Sequence, residues 1–85
     1  MKYSPGYWRL TPLFRMILEI VIDHPEGISE SDLIDSLKKE HEVDVNKAEL
    51  YKALMKLELS GYIQVEHVGR ELVVRLSPAF PELFK

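Results

Sequence analysis

The sequence predicts one α+β domain, with three helices followed by a two-stranded antiparallel hairpin. Two observations carry this. Apolar residues recur at helical spacing in three separate stretches, each with its own start signal. After Gly61 the period changes from 3.6 to 2, the mark of half-buried strands. A chain of 85 residues with 46% hydrophobic and 29% charged residues suits one modest core and excludes disorder of the whole. No cysteine is present, which excludes a disulfide framework, a thiolate metal site and a zinc finger.

Three segments are expected: an aromatic arm over 1–10, the domain over 11–77 and a tail over 78–85. The arm holds Tyr3, Tyr7 and Trp8 around Ser4-Pro5-Gly6, a turn signal. Aromatic residues at that density imply packing on the domain or on a partner. Thr11 then caps a first helix with Pro12 at its first position, running to about Asp23 and stopping before Pro25. Its apolar residues pass most of the way round the axis. Leu13, Ile17, Ile20 and Val21 fill one face, while Phe14, Leu18 and Ile22 continue around the side. Such a helix needs cover on more than one side, from a second copy or from the arm and tail. A homodimer interface of Trp8, Phe14, Leu18, Ile22, Phe80 and Phe84 is therefore expected.

A second helix starts at Ser29, its cap, with Asp32 at the capping-box position and Ile28 opposite Leu33 as a staple. It runs to about Glu40 with Leu33, Ile34 and Leu37 inward, and Lys38 and Lys39 suit its C-terminal dipole. The third helix, over 46–60, has the clearest signals. Asn46 caps it, Glu49 lies at the capping-box spacing, and Val45 and Leu50 form a staple. Leu50, Ala53, Leu54 and Leu57 make the inward stripe, and Gly61 stops the helix. Ile63 and Val65 point inward on the next strand, Val68-Gly69-Arg70 turns, and Leu72, Val74 and Leu76 line one face of the return.

The third helix also has an outward face of Lys47, Ala48, Tyr51, Lys52, Met55 and Lys56. Its cations suit either water or a phosphate backbone. The net charge of −3 opposes nucleic-acid binding over the whole surface, but the distribution is polarised. Residues 1–15 carry Lys2, Arg9 and Arg15 without an acid, whereas 29–45 hold six acids against two lysines.

Enzymatic signals are lacking. His24, His41 and His67 have no ligand spacing, no glycine-rich phosphate loop exists, and Glu30, Asp32 and Asp35 read as the exposed face of a helix. Catalysis, a metal and a cofactor are not expected. Glu19 interrupts the apolar run from Met16 to Ile22, which is too short to cross a membrane, so a cytoplasmic location without membrane insertion is expected.

The order helix, helix, short connection, helix, glycine, hairpin resembles that of the winged helix-turn-helix superfamily. The stretch GISESDLIDSLKKEHEVDVNKAELYKALMKLELSGYIQVE is similar to its shared pattern, a small helix, a turn, and a recognition helix ending Leu-x-x-Leu-x-x-x-Gly-Tyr/Leu-Ile. Leu54, Leu57, Gly61, Tyr62 and Ile63 match that ending, and the resemblance spans residues 11–77. The layout is similar to small PadR-like and MarR-like regulators of bacteria and archaea. The resemblance implies a homodimeric transcriptional regulator that binds double-stranded DNA, with 46–60 as recognition helix and 66–72 as wing tip. Lys47, Ala48, Tyr51 and Lys52 would face base edges or phosphates, Lys56 a flanking phosphate, and Arg70 with His67 the wing-tip contact. The sequence departs from a strong DNA reader by its short wing with Glu66 and Glu71, and by offering lysines without arginine, glutamine or a free asparagine. These departures leave an alternative: a winged helix serving as a protein-interaction module in a replication, transcription or membrane-remodelling complex.

Overall fold

The computed structural model describes residues 12–79. The arm at 1–10, including Trp8, and Phe80 and Phe84 of the tail lie outside the described residues. The elements in order are α1 (Pro12–Ile22), β1 (Ile28–Ser29), α2 (Glu30–His41), α3 (Lys47–Leu59), β2 (Ile63–Val68) and β3 (Glu71–Leu76).

α1 buries Ile17, Leu18, Ile20 and Val21. Leu18, expected at a dimer interface, is 0% exposed within this single chain, which corrects that assignment. Leu18 is enclosed by the chain itself, as α2, α3 and β3 pack against the helix. Phe14 and Ile22 are half-buried. The helix ends one residue early, at Ile22, and a turn closes it: the Asp23 N–H donates to Ile20 O and the His24 N–H to Val21 O. The His24 ring adds a bond from Nδ1 to Ile20 O at 2.8 Å, a second donor to that carbonyl at the helix end.

β1 adds a third strand that the periodicity did not predict. It pairs antiparallel with β3 through Ile28–Val74 and Ser29–Val73, giving the sheet order β1-β3-β2. Two residues are too few to display alternation. Gly27 makes the pairing possible: its φ is +100°, and an added Cβ would lie 3.0 Å from Val73 Cγ1. Ser29 then serves as last strand residue and as helix cap, its Oγ accepting from the Asp32 N–H at 3.2 Å.

α2 sends Leu33 and Leu37 into the core, with Ile34 half-buried beside it. It closes on Glu42, which takes a left-handed φ of 56° without being glycine. The cap expected for α3 is formed: Asn46 Oδ1 accepts from the Glu49 N–H at 2.8 Å. At its other end the Gly61 N–H reaches Glu58 O and the Tyr62 N–H reaches Leu57 O, each at 3.0 Å. These are the two bonds of a Schellman closure, with Gly61 at φ +86° in the left-handed position.

β2 and β3 form the hairpin in the register Ile63–Leu76, Val65–Val74 and His67–Leu72. A two-residue turn at Gly69-Arg70 joins them, and the positive φ of Gly69 (64°) matches the right-handed twist of the strands. Ile63 and Val74 are buried, and Val65 and Leu76 pack against the same core. That core lies between the three helices and one face of the sheet. Leu50, Ala53, Leu54 and Leu57 of α3 all enter it, so the opposite face of α3 is left outward.

Candidate nucleic-acid interface

Burial of one stripe of α3 decides what the other can do. Lys47, Ala48, Lys52, Met55 and Lys56 are all exposed. Among the described residues, Lys47, Lys52, Lys56 and Arg70 make no ion pair. The α2 lysines differ: Lys39 pairs with Asp35 at 3.0 Å and Lys38 lies 3.7 Å from Asp44. The uncompensated cations therefore belong to α3 and to the hairpin turn.

Between α3 and the hairpin runs an open cleft of about 380 Å³. Tyr51, Leu54, Met55 and Glu58 line one wall, and Val65, His67, Arg70 and Leu72 the other, with Glu30 at the floor. The geometry thus gathers Tyr51, His67 and Arg70, three of the expected contact residues, around one depression. Lys47, Ala48, Lys52 and Lys56 lie along the helix and do not line it.

Glu30 is a correction. The sequence placed it on an exposed helix face, but it is 2% exposed and the sole buried charged side chain among the described residues. Its Oε2 accepts from Tyr51 Oη at 2.6 Å and its Oε1 from the Leu72 N–H at 3.2 Å. The second bond follows from the shortness of β1. Pairing with β3 stops at Ser29–Val73, so the Leu72 N–H just beyond has no strand beside it, and the carboxylate takes the strand's place. One side chain thereby ties the start of α2 to α3 and to the hairpin. The Tyr51 hydroxyl holds the Glu30 carboxyl below the usual glutamate range; burial opposes this, and the Leu72 N–H, Lys47 and His67 assist. The same hydrogen bond raises the Tyr51 phenol, with burial and the Glu30 charge acting in the same direction. At neutral pH the pair is a carboxylate accepting from a neutral phenol. Tyr51 thus spends its hydroxyl inside the protein, which removes the polar group it was expected to offer a base.

Other carboxylates clamp the hairpin as well. Glu58 Oε2 accepts from the Val65 N–H at 3.0 Å, on the β2 edge facing α3. Glu71 Oε1 accepts from the Ser31 N–H at 3.3 Å and also from its hydroxyl. Glu66 pairs with Arg75 at 2.9 Å. The acids that the sequence set against a DNA-contacting hairpin are therefore engaged within the fold. Sequence reasoning missed Glu30 because its partners lie 21 and 42 residues away and no spacing rule connects them.

No protein-family model and no curated protein matches the chain. Among solved structures it is similar to one of HOP2, work that concerns that protein's DNA recognition and protein interaction domains and its homologous DNA pairing properties. The identity is 26%, the match covers 75% of this chain and 97% of that one, and the TM-score is 0.63. The fold is a winged helix. α3 is the third helix of this fold and the β2–β3 hairpin its wing. Within this winged helix, His67 and Arg70 are exposed at the far end of the wing. No described helix is long and apolar enough to cross a membrane.

Proposed function

We propose that this winged helix binds double-stranded DNA, with α3 in the major groove and the wing tip against the adjacent backbone. The observation that carries the reading is the set of four cations without ion pairs, Lys47, Lys52, Lys56 and Arg70, on the outward helix and the wing. Likeness to a HOP2 structure concerned with DNA recognition supports it. Each cation neutralises a phosphate and releases counterions, so four contacts imply a slope of log affinity against log salt of about −3.6 per protomer. Glu30 and Glu58 serve this role by fixing the wing at a set distance from α3, and Glu71 by tying it to α2.

On the same reading the chain is a cytoplasmic transcription regulator that acts as a homodimer, because two copies double a modest set of contacts. The PadR-like or MarR-like layout of residues 11–77 supports the regulatory role. Phe14 and Ile22, with Trp8, Phe80 and Phe84, supply the surface for the second copy.

Fluorescence anisotropy against mixed-sequence duplex DNA, at low and moderate salt, tests the proposal. Affinity that falls steeply with salt, and a loss of tenfold or more for Lys52→Glu at low salt, are expected. Unchanged binding by Lys52→Glu sinks the docking face. Absence of binding at low salt sinks DNA recognition and leaves the protein-interaction reading. Light scattering in the same buffers tests the homodimer.

A further inference from the structure

We infer that the outward face of α3 reads thymine through its 5-methyl group, so that the duplex it prefers carries A·T pairs where the helix enters the groove. This rests on the DNA-binding reading and narrows its substrate. Ala48, Lys52, Met55 and Leu59 follow one another at spacings of four, three and four residues and form a single stripe opposite the buried one. Met55 is 61% exposed and Leu59 82%, in the middle of a face flanked by unpaired lysines. Three polar groups that could read bases by hydrogen bonds are engaged elsewhere. Asn46 Oδ1 caps the helix, the Tyr51 hydroxyl donates to Glu30, and Glu58 accepts from the Val65 N–H.

What remains at the centre of the stripe is apolar, apart from Lys52, a point charge suited to phosphate. In the major groove the one apolar mark on a base edge is the C5-methyl of thymine, which apolar side chains contact. Methionine suits it, since its flexible thioether adapts to irregular surfaces. The flanking lysines bring the polyanion to this face, and the apolar centre meets the methyl group once it is there.

Replacing thymine by uracil removes that methyl and leaves every Watson–Crick hydrogen bond in place. Anisotropy titrations of the full chain would compare alternating A·T duplex with its uracil counterpart at moderate salt. Covering one methyl group is expected to give about fourfold tighter binding to the thymine duplex. Met55→Gln, an exposed substitution that leaves the core intact, is expected to bring the ratio close to one while binding to the uracil duplex persists. Equal wild-type affinity for the two duplexes overturns the inference and spares DNA binding. A preference that survives in Met55→Gln also overturns it, by assigning the preference to duplex shape. No binding to either duplex at low salt overturns DNA recognition itself, and with it this inference.

Discussion

Replacing Glu30 by alanine and by glutamine separates its two jobs, satisfying a buried N–H and carrying a charge. In Glu30→Ala the Leu72 N–H loses its acceptor at a place β1 does not reach, whereas the Tyr51 hydroxyl opens to the cleft and water can replace its partner. An unsatisfied buried amide costs about 1–3 kcal/mol, and a hydrogen bond to a charged acceptor is worth about 1.5–3 kcal/mol, so a loss of about 2–3 kcal/mol is expected. For a domain this small that lowers Tm by roughly 8–24 °C. Glutamine can accept from the Leu72 N–H with its carbonyl and donate to Tyr51 Oη with its amide, so Glu30→Gln is expected to lose under about 1 kcal/mol. Urea and thermal unfolding followed by circular dichroism measure both. Because the folded-state pKa of Glu30 is depressed, its ionic contribution is fully present above the unfolded value, about 4.3, and is lost as pH falls through the lower folded value. The stability gap between wild type and Glu30→Gln should therefore be constant near neutrality and close below roughly pH 4. A loss under about 0.5 kcal/mol for the alanine variant, or a gap that widens in acid, refutes the reasoning.

Substitutions at five further positions test the frame that holds this site. Gly61→Ala meets open space and is expected to cost about 1–2 kcal/mol from the left-handed backbone alone. Gly27→Ala adds contacts of 3.0 Å to Val73 and 3.1 Å to Arg75, so it should cost more; thermal melts that reverse this order refute the close approach of β1 to β3. Asn46→Ala removes the α3 cap at a cost of about 1 kcal/mol, and Asn46→Asp restores it; equal loss by both in urea titrations argues against capping. Leu57→Ala empties a site 1% exposed and is expected to cost about 2–5 kcal/mol, with the cavity rather than the helix responsible. Leu59→Ala, on the exposed side of the same helix, should leave the melting curve nearly unchanged.

Local chemistry made much of this molecule legible from residues alone. Asn46 and Ser29 cap because a side-chain oxygen reaches an N–H three residues on, a relation visible in a window of four residues. Gly61 closes α3 because few other residues tolerate a left-handed φ. The change of period after it announces the hairpin, and the inward stripe of α3 emerged residue for residue. The cations on the helix and wing were readable too, since exposure follows once the apolar stripe is assigned. The tertiary structure alone decided the rest. β1 is too short to show a period and exists because β3 lies beside Gly27. Leu18 is enclosed because one small chain can wrap most of a helix. Glu30, read as one more acid on a solvated face, became the junction of α2, α3 and the wing. Its environment is set by a tyrosine and an amide that only folding brings within hydrogen-bond reach.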